Sequence, residues 1–501
     1  MLQIHPSSSE EFFDLAQKGN LVPVYAEFSA ALETPLAVFL KLRQGPYGFL
    51  LESVERGQNL GRYSFIGTEP YLLFSSKDGK VKIVENGQPV LYEVKDPLQE
   101  LAKILKRYRP VKAPGLPGFA GGAVGYLGYD MAGYFEKLPP GKKGEPDLPD
   151  CMFMLADTLV VFDHVRQVIQ VVVNARVTEN PRQDYLRAAE KIAQIRARLN
   201  VAVPNYLLKN LSSPQKKISY NHNLTAGQFQ DMVRAAKAYI RKGDIFQVVL
   251  SQRVDFPLEA DPLNVYQVLR SLNPSPYMFY LQLDDLYFVG SSPELLVKVE
   301  NGQAEIRPIA GTRPRGKNEL QERELEQELL HDEKEKAEHL MLVDLGRNDL
   351  GRVSRYGTVK VANFMEVEKY SHVMHLVSKV TGTLLPHLNC FDVLRASFPA
   401  GTVSGAPKIR AMEIIAELEP TPRGPYAGAV GYISYGGDMD TCITIRTLIV
   451  NKGTGYIQAG AGIVADSVPT QEYQETLNKA RALFKAVEIA SGGEADVAGH
   501  R

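Results

Sequence analysis

Two kinds of patterning run along the chain. Up to residue 195, β-rich runs at 81–84, 159–162 and 168–173 alternate with stretches of helical spacing at 97–108 and 184–199. Segments 109–118 and 137–150 are rich in Pro, Gly and Lys and read as surface loops. The periodicity lapses over 201–219, which contains Ser-Ser-Pro-Gln-Lys-Lys and reads as a linker. The pattern therefore predicts an N-terminal domain at 1–200, the linker at 201–219, a second domain at 220–490 and a small, polar, disordered tail at 491–501.

The second part opens clearly. Thr225-Ala-Gly-Gln228 fits a capping box, in which a hydroxyl and an amide satisfy the first free N–H groups of a helix. Phe229, Met232, Val233, Ala236 and Ile240 then recur at helical spacing, with a stop at Gly243. Residues 245–254 read as a strand, with Phe246, Val248 and Leu250 on one face and Ile245, Gln247, Val249 and Ser251 on the other. A charge-dense stretch at 319–343, apolar from Leu340, predicts one long helix, and 470–490 predicts another just after Pro469. Gly122-Ala-Val-Gly-Tyr126 recurs as Gly428-Ala-Val-Gly-Tyr432. That match reads either as coincidence or as two equivalent strands packed where only glycine fits.

Length and composition narrow the class. The 501 residues suffice for two large domains, and 44% apolar with 23% charged residues is a globular profile. Lys and Arg total 57 against 58 Asp and Glu, a formal net charge of −1, so no nucleic-acid partner is expected. Cys151, Cys390 and Cys442 are few, odd in number and far apart, which suggests no disulfide framework and a reducing compartment. The first residues lack a signal-peptide pattern, and no run approaches the roughly 18 to 20 apolar residues of a membrane span. The expectation is a cytoplasmic protein without a membrane partner.

Several constellations could carry chemistry. Glu335 and Glu338 lie three apart on a predicted helix, as do Glu472 and Glu475 on the last one, so each pair shares a face. Mg²⁺ takes one or two protein carboxylates and completes its shell with water and substrate oxygens, so two such helices suit it; a solvated charged face explains the same spacing. The stretches 400–407 and 459–464 are small-residue loops whose N–H groups could meet an anion, or simply tight turns. Arg446 stands in the uncharged β-rich run 441–447, where it needs an acidic side chain or an anionic ligand. His372 and His375 lie in the β-rich run 371–380 on opposite faces, so they do not chelate one metal together. No Ser or Cys carries a His-based nucleophile pattern.

Taken together, the segments resemble one family. These are Pro308-Ile-Ala-Gly-Thr-Arg-Pro-Arg-Gly316, Glu338-His-Leu-Met-Leu-Val-Asp-Leu-Gly-Arg-Asn-Asp349, Ser371-His-Val-Met-His-Leu-Val377, Gly401-Thr-Val-Ser-Gly-Ala-Pro-Lys408, Tyr426-Ala-Gly-Ala-Val-Gly-Tyr432 and Gln471-Glu-Tyr-Gln-Glu-Thr-Leu-Asn-Lys-Ala-Arg481. With Leu50-Leu-Glu-Ser53 and Gly61-Arg-Tyr-Ser64, they resemble the chorismate-utilising enzymes, and within them the large subunits of anthranilate synthases. The resemblance implies an α/β fold of the α+β type: two large intertwined domains with extended, mostly antiparallel sheets packed with helices. It also implies amination of chorismate at C2, loss of the 4-hydroxyl, and elimination of pyruvate to give anthranilate.

Residue roles follow from the same resemblance. Glu338 and Glu475 match the ligands of a Mg²⁺ cofactor that holds the ring carboxylate, with Glu335 and Glu472 in support. Arg446 and Tyr426, with backbone N–H groups near Gly460 and Gly462, match the site of the side-chain carboxylate; Gly311, Thr312 and Thr402 line the pocket. Glu294 matches the general acid for the poor hydroxide leaving group, and His375 a histidine of the elimination stage. Two positions separate relatives. A nucleophilic lysine of one type of aminodeoxychorismate synthase is Ala310 here, and the water-activating lysine of isochorismate synthases is Gln247. Both favour anthranilate over the rival folate-branch activity.

Partners are implied as well. The given sequence carries no Cys-His-Glu glutaminase domain after its last motif, so ammonia is expected from a separate glutamine amidotransferase subunit in a hetero-oligomer. Leu50–Ser53 and the segment Asn273-Pro-Ser-Pro-Tyr-Met278 resemble the pocket for tryptophan as feedback inhibitor. There Glu52 and Ser53 would take the ammonium, and Pro276, Tyr277 and Met278 the indole. A second rival is a catalytically silent tryptophan-binding regulatory subunit. The filled catalytic positions argue against it.

Overall fold

The computed structural model describes residues 3–54, 61–203, 217–369 and 373–492. Helices and antiparallel strands alternate through both halves of the chain, giving a mixed α/β architecture built on two large sheets. Each sheet draws on both sides of the 201–219 segment. In the first, six strands from Ile4–His5 to Thr158–Asp163 and Val168–Arg176 meet strands from 221 onward where Tyr47–Glu52 pairs with Tyr277–Leu283. In the second, the join is between Gly122–Leu127 and Ala429–Ser434. The two halves therefore share their sheets. Residues 204–216, the middle of the expected linker, and the tail from 493 lie outside the described residues.

The glycine-rich repeat is explained by that second join. Its two copies are neighbouring antiparallel strands in which Gly125 and Gly431 are direct partners. A Cβ on Gly125 would lie 2.0 Å from the Met152 carbonyl oxygen, and one on Gly431 2.1 Å from that of Asp440. Neither strand accepts a side chain there.

The sheets face each other through an apolar layer of Phe49, Phe65, Phe279 and Phe288 against Val124, Tyr126, Met154 and Val430. The Tyr126 and Phe288 rings meet at a tilt of 36°, with centroids 4.5 Å apart. Helices cover the outer faces; Pro469–Ser491, for example, buries Ala480, Leu483, Ala486 and Val487 against strands of the first sheet. Burial of such faces, more than helix propensity, stabilises these helices. No helix among the described residues is long and apolar enough to cross a membrane.

Three local readings need correction. The predicted helix at 319–343 is two helices, Glu319–His331 and Glu333–Gly351. Asp332 ends the first and caps the second, accepting from the N–H groups of Lys334 and Glu335. Segment 459–464 is not a loop, because Ala459 to Ile463 continue the strand Thr454–Ile463. Phe246 does not share a buried face with Val248 and Leu250. It precedes the strand Gln247–Pro257 and is 73% exposed.

Candidate active site

One cavity of about 640 Å³ collects all fourteen residues that the sequence nominates for catalysis, substrate and metal. Its walls come from strands of both sheets, the Glu333–Gly351 and Pro469–Ser491 helices, and the turns around Gly401 and Tyr426. His372 lies outside the described residues.

An anion-binding side is built from Arg446, Tyr426 and a strand edge. The β-rich run breaks after Met439–Ile443, and Arg446 adopts φ 51°, a left-handed conformation unfavourable for any residue with a Cβ. Its guanidinium donates to the Lys479 carbonyl, and no carboxylate among the described residues forms an ion pair with it. Burial disfavours its charge, and Tyr426 and Glu475 offset this only from a distance. The guanidinium lines the cavity, where an anionic ligand could meet it.

Beside it, strand Thr454–Ile463 pairs on one side with Gln247–Pro257, while its pairing with Thr447–Asn451 ends at Ile457. The Gly460 carbonyl accepts from Lys479 Nζ at 3.0 Å on the open edge. An extended residue points its N–H and C=O to the same side, so the Gly460 N–H, and that of Gly462 two residues on, also face this edge. The absence of side chains there lets neighbours close in. A Cβ on Gly460 would lie 2.6 Å from the Tyr426 hydroxyl, and one on Gly462 2.7 Å from Gln247 Nε2.

The acid–base side centres on Glu294 and His375. Glu294 follows the strand Leu286–Ser292, where its own carbonyl accepts from the Ile443 N–H at 3.0 Å. It lies deep in the molecule yet keeps part of its surface open to the cavity. Burial pushes its carboxyl up to about 7, against the opposing pull of the Thr402 hydroxyl and the Lys479 ammonium. That hydroxyl contact falls short of a full hydrogen bond, and Thr402 Oγ1 is a buried polar atom without a partner.

His375 is placed by a bulge. Pairing of Ile309–Pro314 with Val373–Thr383 slips between Ala310 and Arg313, and Gly311 takes φ 67°. This aims the Gly311 carbonyl at His375 Nδ1, 2.8 Å away, with Thr312 Oγ1 at 3.1 Å. A carbonyl only accepts, so Nδ1 carries the hydrogen and Nε2 the lone pair. Burial lowers the imidazole pKa, which keeps the ring neutral at neutral pH.

The acidic side faces them from two helices. Burial and the adjacent Glu335 charge push the Glu338 carboxyl up; burial and Glu475 do the same for Glu472. Lys334 and Lys479 pull on both, which places the pairs in one neighbourhood. Glu335 is engaged by Arg313 at 3.4 Å and Glu475 by Lys479 at 2.7 Å. No three His, Cys, Asp or Glu side chains among the described residues converge closely enough to hold a metal by themselves. A divalent ion that draws most of its shell from water and substrate fits such a set, because it relieves the mutual repulsion within each pair. Gln247 Nε2 donates to Glu338 Oε1 at 3.4 Å, while Gln247 Oε1 is buried without a partner.

Sequence reasoning missed Lys479 and Lys334 as cavity residues, together with Asn273, Ser275 and Gln458. For Lys479 a signal was present, since it follows Glu475 by four residues on one helix face.

A second cavity, of about 360 Å³, lies against the join of the two halves and is lined by Glu52, Ser53, Pro276, Tyr277 and Met278. Ser53 Oγ is buried there without a partner. The expectation for Glu52 needs correction. Glu52 and Met278 are cross-strand partners, and the Glu52 carboxylate is held by the Tyr266 hydroxyl at 2.5 Å and by Arg270 at 3.1 and 3.2 Å. The carboxylate is thereby committed to the Pro262–Leu272 helix, which carries Tyr266 and Arg270. Asp440, which sequence reasoning did not nominate, lines the same cavity, accepts from the Tyr277 hydroxyl at 3.1 Å, and is pushed up to about 6 by burial.

Comparison with known proteins agrees with this geometry. A family model described as chorismate binding enzyme matches residues 34–485. Anthranilate synthase component 1 of Acetivibrio thermocellus is 47% identical over 481 residues, covering 95% of this chain and 97% of that protein. The namesake of Aquifex aeolicus is 47% identical over 484 residues, covering 96% and 98%. The crystal structure of anthranilate synthase component I from Streptococcus pneumoniae superimposes with a TM-score of 0.77 at 38% identity, covering 91% of this chain and 99% of that one. The isochorismate synthase MenF of Escherichia coli shares the fold, with a TM-score of 0.69 at 20% identity. With its motifs gathered in one cavity and the family model matched over most of its length, the chain belongs to the chorismate binding enzymes.

Proposed function

We propose that this chain is the chorismate-aminating component of an anthranilate synthase, converting chorismate and ammonia to anthranilate and pyruvate. The observation that carries the reading is the shared cavity: a guanidinium with no carboxylate ion pair among the described residues, a carboxyl poised near neutral pH and two acidic pairs stand around one volume.

Arg446, the Tyr426 hydroxyl and the N–H groups of Gly460 and Gly462 bind the enolpyruvyl carboxylate of chorismate. Glu338 and Glu475, supported by Glu335 and Glu472, hold Mg²⁺, which supplies positive charge for the ring carboxylate. Ammonia attacks C2 and gives up one N–H proton to solvent, both ring double bonds shift (C1=C2 to C1=C6 and C5=C6 to C4=C5), and the 4-hydroxyl leaves as water with the proton of Glu294. The lone acceptor Gln247 Oε1 orients an N–H of the incoming ammonia. In the second stage His375, neutral with its lone pair on Nε2, takes the C2 proton while the C3–O bond breaks. The enol so released becomes pyruvate, and the ring becomes aromatic.

Ala310 lines this cavity and offers no nucleophile, and Gln247 offers no base for water. The first disfavours the folate-branch rival, and the second disfavours addition of water to give isochorismate. Ammonia comes from a glutamine amidotransferase partner. Tryptophan occupies the second cavity as inhibitor, its ammonium on Ser53 Oγ and the Asp440 carboxylate and its indole against Pro276 and Tyr277. The test is anthranilate fluorescence from chorismate, Mg²⁺ and ammonium. Signal lost with EDTA supports the reading; a signal unaffected by EDTA removes the metal from it.

A further inference from the structure

Behind the cavity lies a buried ion pair that contacts no substrate position. Glu419 and Arg423 follow the helix Lys408–Leu418, and their side chains are only 4% and 2% exposed. Arg423 spends four N–H contacts on four acceptors: Nε on Glu419 Oε2 at 2.8 Å, Nη2 on Glu419 Oε1 at 2.6 Å and on the Val249 carbonyl at 2.7 Å, and Nη1 on the Val403 carbonyl at 2.7 Å. Glu419 Oε1 accepts in addition from the N–H and the hydroxyl of Ser251, both at 2.8 Å. Gln458, on the cavity wall, donates to the same Ser251 hydroxyl at 2.8 Å.

The backbone groups so held are particular ones. Val249 and Ser251 are the cross-strand partners of Gly462 and Gly460, whose N–H groups face the anion side of the cavity. Val403 follows Thr402, beside Glu294. The Tyr426 N–H donates to the Arg423 carbonyl at 3.2 Å, and the Arg423 guanidinium lies 5.5 Å from the Tyr426 ring. One charged fork therefore ties together three walls: the strand backing the glycine edge, the turn carrying Thr402, and the turn carrying Tyr426. An apolar pair of equal volume would leave two carbonyls and one N–H buried and unpaired, so this charged pair is what satisfies the backbone of all three walls at once.

We infer that Glu419 and Arg423 are positioning residues that set the spacing between the glycine edge, Tyr426 and Thr402, and thereby the affinity for the enolpyruvyl carboxylate. This rests on the chorismate reading of the cavity. Lysine at 423 keeps the charge but presents a single nitrogen that cannot span Val249, Val403 and Glu419.

The test is calorimetric binding of chorismate with Mg²⁺ and no ammonium, which needs no turnover, for wild type, Arg423→Lys and Glu419→Gln. Circular dichroism and melting temperature establish which variants are folded. The expected result is a folded variant with chorismate Kd raised about tenfold, one lost charge-assisted contact, and unchanged tryptophan Kd at the second cavity, whose lining includes neither Glu419 nor Arg423. A folded variant with unchanged chorismate Kd overturns the inference, as does failure of both variants to fold, since the pair would then serve the fold alone. Equal weakening of chorismate and tryptophan overturns it too. Wild type that binds no chorismate overturns the reading of the cavity itself, and the inference with it.

Discussion

Gln247 Nε2 donates to Glu338 Oε1 at 3.4 Å, leaving the amide oxygen of the same side chain buried and without a partner beside the substrate volume. A neutral donor thus steadies the carboxylate without neutralising it, and a neutral acceptor stays available to a ligand. Gln247→Leu should lower the ammonium-dependent kcat/KM about tenfold, the loss of about one hydrogen bond, with little change in KM for chorismate. Steady-state kinetics with each substrate varied in turn checks this, and a change confined to chorismate would contradict it.

The carboxyl of Glu294 is held near 7 by burial, well above the ordinary glutamate range. As an acid it must be protonated, so kcat corrected for the concentration of free NH₃ should fall as pH rises through 7. The same shift bears on stability. The folded state binds this proton more tightly than the unfolded chain, so its contribution is complete below about pH 4.5 and is lost as pH rises through about 7. Glu294→Gln should abolish most turnover and flatten the stability loss between pH 5 and 8, measured by thermal melts. An unchanged pH–rate profile would remove Glu294 from the acid role.

Ser53 and Asp440 are among the polar residues lining the second cavity, whereas the Glu52 carboxylate is tied to Tyr266 and Arg270. Ser53→Ala should relieve inhibition by tryptophan with turnover largely retained. Undiminished inhibition would show that the inhibitor binds elsewhere. If tryptophan inhibits by weakening chorismate binding, chorismate should weaken tryptophan binding by the same factor.

The helices were the more legible part of the sequence, because their signals are local. The Thr225–Gln228 capping box is present as such, and the last helix starts at Pro469. The spacing of Glu335 with Glu338 and of Glu472 with Glu475 put each pair on one face, but the meeting of the two helices depends on sheets whose neighbours come from distant segments. The break at Asp332 was hidden by uniform charge and helix propensity on both sides; a side chain capping two N–H groups decides it. The commitment of Glu52 to Arg270 joins residues 218 apart, and no local pattern encodes it. Most site residues were reached through family motifs. Arg446 was an exception, since an arginine in an uncharged run demands an anion wherever the chain folds.

The most direct measurement is product analysis of chorismate incubated with Mg²⁺ and ¹⁵N-ammonium, by mass spectrometry and pyruvate assay, with Glu338→Gln alongside. The account predicts ¹⁵N-anthranilate and pyruvate in equal amounts from the wild type, and neither from a folded Glu338→Gln. Aminodeoxychorismate without pyruvate, or isochorismate carrying a solvent oxygen, would contradict it.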